Sequence, residues 1–373
     1  VIRGRVVVSA GGTGGHLFPA EALAWVLVAR GWEIHLATDH RAEMLGATFP
    51  AKETHIIRSA TPSGRDPVAI AKALLALYGG YREAKALLAG LEPAVAVGFG
   101  GYPTVPPMLA AARSGVPTVI HDANAVLGRA NRLLARGATA IATSFETVGH
   151  GEAYRAKTVM TGNPVRLAVR DAAEAPYPST APGEPLRLVV FGGSQGARFF
   201  SELLPAALGL LSAGERARLK LVQQCRPEDL EGVRKAYREQ GVSAELGPFF
   251  RDLPRRIAGA HLVLSRSGAG TVAELAVIGR PAIMVPLPHA IDQDQRRNAE
   301  VLAAAGGGWL IDQAALTPER LASELRGHLA DPAPLVRAAA AAKSIGRADA
   351  VDRLADLVEA VAQKRPFATG VSS

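Results

Sequence analysis

The sequence predicts an α/β chain of two Rossmann-like domains, each a parallel sheet covered by helices, facing one another across a cleft. Three observations predict it. Short runs of β-branched residues alternate with helical stretches of roughly 12 to 18 residues, the pattern of parallel strands joined by crossover helices. An apolar strand that ends in a Gly-rich turn and opens a helix occurs twice, at Val6-Val7-Val8-Ser9-Ala10-Gly11-Gly12-Thr13-Gly14-Gly15-His16 and at Leu188-Val189-Val190-Phe191-Gly192-Gly193-Ser194-Gln195-Gly196-Ala197. Between them, residues 171–185 carry Pro176, Pro178, Pro182 and Pro185 among acidic and small residues without periodicity, which reads as part of a linker.

In chain order, the first half places strands at 5–10, 33–38, 55–58, 94–99, 118–122, 140–143 and 158–161. Most are continuous apolar runs, as strands buried on both faces should be. The longest uncharged run, 93–112, has the length to span a bilayer, but Gly98, Gly100, Gly101, Pro103, Pro106 and Pro107 break it into a strand, a turn and a buried helix, so no transmembrane segment is expected. The second half has strands ending before Gly192, at Leu264 and at Pro286. Residues 349–363 read as an amphipathic helix with Val351, Leu354, Leu357, Val358 and Val361 on one face. The final residues, 369–373, are expected to be disordered. The expected domains are 1–163, joined by the C-terminal helix 349–366, and 164–348.

Composition bounds the function. The chain has 373 residues, 48% of them hydrophobic, enough apolar material for two cores. Lys and Arg number 42 against 34 Asp and Glu, a net +8 with a pI near 9.9, which suits nucleic acid, a membrane surface or an anionic substrate. Only 5% of residues are aromatic and no Lys/Arg-rich block occurs, which argues against nucleic acid. Residues 1–163 hold 16 basic and 11 acidic side chains, so +5 of the +8 lies in the first domain. The single cysteine, Cys225, removes disulfide scaffolds and Cys-based zinc sites, and no convincing metal cluster is evident, so neither metal nor organic cofactor is expected. The N-terminal segment has no signal-peptide pattern and reads as the first strand of a mature cytosolic domain.

Several loops carry chemistry. Glycines at a strand-to-helix turn let the backbone approach a phosphate, and the helix N-terminus offers N–H groups and partial positive charge. The 11–16 turn is neither a Walker loop nor a dinucleotide fingerprint. His16 at its mouth is a candidate general base, its imidazole kept neutral by the helix N-terminus. A third loop, Ser265-Arg266-Ser267-Gly268-Ala269-Gly270-Thr271, suits a phosphate, and Glu274 one turn in suits the two hydroxyls of a ribose. Pro286-Leu287-Pro288-His289 leads to a polar helix opening at Asp292, whose side chains suit sugar hydroxyls. His121-Asp122-Ala123-Asn124 ends a strand where α/β sheets bind ligands, and Gly162-Asn163-Pro164-Val165-Arg166 lies at the domain junction. Each feature alone also has a plain structural reading: a tight turn, a solvated charge, a capped surface helix.

Together they are specific. Ala10-Gly-Gly-Thr-Gly-Gly-His16-Leu-Phe-Pro19, Gly162-Asn-Pro-Val-Arg166, Gly192-Gly-Ser-Gln-Gly-Ala197 and Ser265-Arg-Ser-Gly-Ala-Gly-Thr-Val-Ala-Glu274 resemble, in order, the motifs of the MurG family, the peptidoglycan N-acetylglucosaminyltransferases of the glycosyltransferase B fold. The resemblance implies inverting transfer of N-acetylglucosamine from UDP-N-acetylglucosamine to the C4 hydroxyl of lipid I, giving lipid II and UDP. It implies that Thr13, Gly14 and Gly15 line the donor and acceptor side, and that Asn124 contacts the donor sugar. Arg166 and Ser194 would hold the nucleotide and its phosphates, and the backbone of Phe250 would read the uracil edge. Ala269, Gly270, Thr271, Val272, Ala273 and Glu274 would bind phosphate and ribose, and Gln295 the sugar hydroxyls. The chain departs from the family at Asp122-Ala123, where Glu-Gln is common, and at Asp294, where some members have Gln. For the displacement, His16 is the expected base and Asp122 the alternative.

A lipid acceptor implies a peripheral protein on the cytoplasmic face of the inner membrane. Ile70, Leu74, Leu77, Tyr78 and Tyr81 repeat at helical spacing amid Arg58, Arg65, Lys72, Arg82 and Lys85, the pattern of a helix lying at an anionic membrane surface, and Arg129, Arg132 and Arg136 add a second basic face. Another enzyme of the same architecture, such as a UDP-N-acetylglucosamine 2-epimerase or a glycolipid glycosyltransferase, is the alternative.

Overall fold

The computed structural model describes residues 2–11, 13–40, 49–61, 66–146, 148–193 and 198–369, and of Ile291 the backbone alone. The expectation for the tail at 370–373 lies outside them. The chain divides into a first unit, Val1–Arg166 with Ala348–Ser373, and a second, Leu167–Arg347.

The first unit is built on β1 (Arg5–Ser9), β2 (Glu33–Thr38), β3 (Glu53–Ile56), β4 (Val95–Gly98), β5 (Thr118–Asp122), β6 (Ala140–Thr143) and β7 (Thr158–Met160), all parallel, in the order β3-β2-β1-β4-β5-β6-β7. Both faces are buried. Val6 and Val8 pack with Leu17, Leu23, Val95 and Val97 on one side, while Val7 packs with Ala96, Met108 and Ile120 on the other. That two-sided burial is why these strands read as unbroken apolar runs rather than alternating ones. The third strand begins two residues before the sequence expectation. The apolar pair Ile56-Ile57 draws a pattern-based boundary toward the C-terminus, whereas the ladder starts at the polar Glu53, paired with His35.

Helix Ala350–Ala362 returns to this unit, its Leu354, Leu357, Val358 and Val361 joining the Leu17–Leu23 cluster. Buried Glu359 fixes the return, accepting from Trp32 Nε1 at 2.8 Å, Arg3 Nη1 at 3.0 Å and Arg30 Nη1 at 3.0 Å.

Helix Pro67–Leu91 turns small residues inward. Ala73, Gly80 and Ala84 are buried, and a Cβ on Gly80 would lie 1.9 Å from the Arg58 carbonyl oxygen, so this contact requires glycine. Val68, Leu74, Leu75 and Tyr78 face outward at 56–71% exposure. Of the expected stripe, Leu74 and Tyr78 are therefore exposed, while Ile70, Leu77 and Tyr81 are half-buried. Lys72, Arg82 and Lys85 are exposed beside it; Arg65 lies outside the described residues.

The second unit has β8 (Leu186–Phe191), β9 (Leu219–Gln224), β10 (Ala244–Gly247), β11 (Leu262–Ser265), β12 (Ala282–Met284) and β13 (Gly308–Leu310), all parallel, in the order β10-β9-β8-β11-β12-β13. Its proline-rich stretch is shorter and better anchored than a linker reading implies. Residues 171 and 172 close helix Leu167–Ala172, and the coil beyond is tied to the unit by buried Arg280, which donates to the carbonyls of Ala175 and Pro176. Tyr177 donates its hydroxyl to the His261 carbonyl at 2.9 Å.

Candidate active site

Each sheet reverses its strand order beside its first strand, between β1 and β4 and between β8 and β11. Ligands of open α/β sheets bind beyond the carboxyl ends of the strands at such a point. The predicted loops after β1 and β11 fall there, one in each unit.

In the first unit, β1 runs through Gly11 into helix Gly14–Ala29, with Thr13 as the N-cap in an extended conformation. The Thr13 hydroxyl does not cap the helix. It meets His16 Nδ1 at 2.9 Å, so the first-turn amides of Gly14 and Gly15 are capped by no side chain, and no acidic residue stands in that turn. The imidazole packs under the turn after β4, where a Cβ on Gly100 or Gly101 would come within 3.4–3.5 Å of the ring, and both glycines have positive φ. Gly14 also leaves room for the Phe18 ring, which a Cβ would meet at 2.9 Å. Arg166 lays its guanidinium over that ring, 4.8 Å from the centroid.

Asp122, the alternative base, points inward. Its carboxylate is buried and accepts from Asn124 N at 3.0 Å, Gly128 N at 2.7 Å and Asn131 Nδ2 at 2.9 Å. Burial raises its pKa against the opposing pull of those donors. A carboxylate so placed organises the 122–131 segment and holds the backbone of Asn124, an arrangement that suits a positioning group better than a proton acceptor. His121 is buried too, its Nε2 3.1 Å from the Gly162 carbonyl, and burial pushes its pKa down to about 4, so the ring is neutral and donates that N–H. It thereby ties the end of β5 to the Gly162-Asn163 turn. The Ser9 hydroxyl and both polar atoms of the Asn163 amide are buried without a hydrogen bond among the described residues.

In the second unit, β11 ends at Ser265 and the chain passes through Arg266, Ser267 and Gly268 into helix Ala269–Ile278. Gly268 is the N-cap, so again no side chain caps the helix and its first turn has no acidic residue. The hydroxyls of Ser265 and Ser267, both fully buried, make no hydrogen bond among the described residues. Arg266 turns away, donating to the carbonyls of Val285 and Pro286 and to Gln313 Oε1, with its guanidinium beside Phe199 and Phe200. Thr271, Ala273 and Glu274 are half-buried along the helix, while Ala269 and Val272 face the core.

After β12 the backbone is strained: His289, Asp292 and Gln293 all have positive φ, a conformation costing about 1 kcal/mol or more each and found mostly where function demands it. The polar helix starts at Asp294, two residues later than expected, because Asp292 and Gln293 interrupt it. Gln295 Oε1 accepts from Leu287 N at 2.9 Å, which leaves its NH2 group for a ligand. The Phe250 ring lies under Arg256, 4.4 Å from the guanidinium, and packs where a Cβ on Gly247 would come within 3.2 Å. The Phe250 carbonyl accepts a long bond from Leu253 N, 3.3 Å, so its N–H is the backbone group left to read a base. Ser194 lies outside the described residues.

Sequence reasoning missed Gln224, and it read Asn298 only as part of the polar helix suited to sugar hydroxyls. Gln224, at the end of β9, accepts from Gly192 N and donates to the Pro248 carbonyl, bracing the Gly-rich turn against the Phe250 segment. Buried Asn298 donates to the Ser267 carbonyl at 3.3 Å. For Gln224, it is the parallel pairing of β9 with β8 and β10 that brings the partners together.

Family models over both units define a glycosyltransferase. Residues 6–143 match the family model of the glycosyltransferase family 28 N-terminal domain, and residues 187–354 that of the family 28 C-terminal domain. A relative from Rhizobium johnstonii, named UDP-N-acetylglucosamine--N-acetylmuramyl-(pentapeptide) pyrophosphoryl-undecaprenol N-acetylglucosamine transferase, is 53% identical over 98% of each chain. One of the same name from Brucella canis is 54% identical over 96% of this chain and 95% of that one. The crystal structure of Acinetobacter baumannii MurG superposes with a TM-score of 0.77 at 28% identity, covering 95% of this chain and 99% of that chain. A putative UDP-N-acetylglucosamine 2-epimerase from Listeria monocytogenes, with a TM-score of 0.68 at 15% identity over the whole of both chains, shares the fold alone. This chain belongs to the UDP-N-acetylglucosamine--N-acetylmuramyl-(pentapeptide) pyrophosphoryl-undecaprenol N-acetylglucosamine transferases of glycosyltransferase family 28, as its four motifs indicate.

Proposed function

We infer that the protein transfers N-acetylglucosamine from UDP-N-acetylglucosamine to the undecaprenyl-pyrophosphoryl N-acetylmuramyl-pentapeptide lipid, lipid I, forming lipid II and UDP. The observation that carries this is the identity of more than half the residues, over nearly the full length of both chains, with relatives named for that reaction.

The chemistry follows from the two half-sites. A single displacement at the anomeric carbon inverts its configuration. It needs the acceptor hydroxyl, assigned to C4 of the muramoyl sugar, to lose its proton as it attacks. His16, whose Nδ1 lies 2.9 Å from Thr13 Oγ1, is assigned to take that proton, a contribution of ~10² to 10⁴ in rate. In the second unit, the uncapped N-terminus of helix Ala269–Ile278 and the Ser267 hydroxyl are assigned as donors to the diphosphate as charge develops on it. The helix dipole alone is worth roughly 0.3 to 2 kcal/mol there, and hydrogen bonds to the anion add more. Glu274 accepts from the ribose hydroxyls, Gln295 donates to the sugar and the Phe250 backbone meets the uracil. Arg166 and Ser194 are assigned to the nucleotide, and Thr13, Gly14, Gly15 and Asn124 to the sugars.

Lipid I also requires docking to an anionic membrane surface. Among the described residues no helix is long and apolar enough to cross a membrane. The outward face of helix Pro67–Leu91, with Leu74, Leu75 and Tyr78 beside Lys72, Arg82 and Lys85, supports a peripheral contact on the cytoplasmic side. Assay with radiolabelled UDP-N-acetylglucosamine and a lipid I analogue tests the reaction: labelled lipid II is expected, and epimerised nucleotide sugar without acceptor transfer would overturn it. Vesicle co-sedimentation tests the contact. Binding should rise with anionic lipid and fall with K72E/R82E; binding indifferent to both would exclude this surface.

A further inference from the structure

At the edge of the first sheet, away from the switch point, β2 and β3 pair in parallel with His35 opposite Glu53 and Ala37 opposite His55. Alternate residues of a strand share a face, so Glu33, His35, Glu53 and His55 gather on one side of this edge. Their side chains converge. His35 Nδ1 lies 3.1 Å from His55 Nε2, and His35, Glu53 and His55 each offer a donor atom within 4.8 Å of the other two.

The facing ring nitrogens need something between them, either one shared proton or a cation. Glu33 fixes which nitrogen of His35 is available. Its Oε1 accepts from His35 Nε2 at 3.2 Å, and the carboxylate is itself held by Lys52 Nζ at 2.7 Å and Arg5 Nε at 3.2 Å. With its proton on Nε2, His35 points the Nδ1 lone pair at His55. A carboxylate behind a histidine whose other nitrogen faces outward is the usual outer shell of a histidine metal ligand. Two imidazoles and a carboxylate are the ligand types of zinc-class ions. Metal–nitrogen bonds of ~2.0–2.1 Å in a tetrahedral site set neighbouring donors ~3.3 Å apart, close to the spacing of the two rings. His35 is almost fully buried and His55 mostly so, whereas Glu53 is 64% exposed and able to swing in.

We propose that His35, His55 and Glu53 bind one zinc-class divalent cation, with Glu33 orienting His35, and that the ion clamps edge strand β3 onto β2. This edge matters to its surroundings. Two residues beyond β3 is Arg58, whose carbonyl is the close contact of Gly80 in helix Pro67–Leu91, so a clamp on β3 also steadies the seat of that helix.

The test uses the full chain freed of metal with a chelator and titrated with Zn²⁺ by calorimetry, and with Co²⁺ as a visible-absorption probe. One ion per chain is expected. Glu53→Gln and His55→Gln should each weaken binding at least ~10-fold, Glu33→Gln by about 10-fold through loss of orientation, and His150→Gln should leave it unchanged. Zn²⁺ should raise the melting temperature of the wild-type chain and not that of Glu53→Gln. If His55→Gln fails to fold, the exposed Glu53→Gln decides. No saturable binding by the wild-type chain, or equal affinity in the wild-type and Glu53→Gln chains, would overturn the proposal.

Discussion

The candidate sites of the two units follow non-equivalent strands, β1 in the first and β11 in the second, in sheets of matching strand order, yet each chain runs through a Gly-containing turn into a helix that no side chain caps. Their polar side chains differ in emphasis, although Ser9 and Asn163 of the first unit are also buried without a hydrogen bond among the described residues. In the first unit several groups around the proposed base hold one another: Thr13 meets His16, Asp122 gathers Asn124, Gly128 and Asn131, and His121 holds the Gly162 carbonyl. In the second, the hydroxyls of Ser265 and Ser267 have no partner among the described residues, and the nearby backbone is strained at His289, Asp292 and Gln293. A base must be aimed before the substrate arrives, so its hydrogen bonds are made within the protein. An anion needs donors that no internal acceptor has claimed.

That contrast predicts different kinetic signatures. The largest effect belongs to His16→Ala, expected to lower kcat by ~10² to 10⁴ with little change in KM for UDP-N-acetylglucosamine. Thr13→Val, which removes only the orienting hydroxyl, should cost about tenfold in kcat, the loss of one hydrogen bond. A His16→Ala enzyme within threefold of wild-type kcat would break the comparison, because the first half-site would then lack its reactive group.

Asp122→Ala should act mainly on folding. It strips the acceptor from the buried Asn131 amide and from two part-buried backbone amides, and should cost about 2–4 kcal/mol of stability, read by urea unfolding. At a temperature where the variant remains folded, its kcat should exceed that of His16→Ala; the reverse order would return Asp122 to the role of base. Glu274→Ala in the second half-site should raise KM for the donor roughly 10- to 100-fold with kcat much less affected, since a charge-assisted bond worth about 1.5–3 kcal/mol is made in ground and transition states alike. A fall in kcat at unchanged KM would place Glu274 in the chemistry instead.

Much of this was legible in the sequence. Strands β1, β2, β5 and β6 lie within a residue of expectation because each is a buried apolar run closed by glycine or a polar residue. Four motifs fixed the loops because strand-to-helix turns near phosphate need glycine for backbone reasons that spacing records. What spacing does not record is which distant strands become neighbours. Gln224 reaches Pro248 and Gly192, and His35 reaches His55, only through parallel pairing across 20 residues or more. Nor does periodicity say which face of a helix turns inward. In Pro67–Leu91 the close approach at Gly80 selects the small residues, against the rule that the larger apolar side chains seek the core.

The smallest effect sharpens the contrast through pH. His121 is neutral in the folded chain, with its pKa pushed to about 4 by burial and by the nearby His16, against 6.5 when unfolded. Between those values the unfolded chain binds more protons than the folded one, so this histidine's contribution to stability is complete above pH 6.5 and is lost as pH falls toward 4. From pH 7 to pH 5 the loss amounts to about 2 kcal/mol. His121→Gln keeps an N–H for the Gly162 carbonyl and has nothing to protonate, so its stability should fall less steeply over that interval, and the difference between the two unfolding profiles isolates His121. The second unit carries its own carboxylates at the candidate site, Glu274 and the half-buried Asp294 with its raised pKa, so the His121 effect is read from unfolding and not from UDP binding. Parallel unfolding profiles for wild type and His121→Gln would show that protonation of His121 does not loosen the first unit.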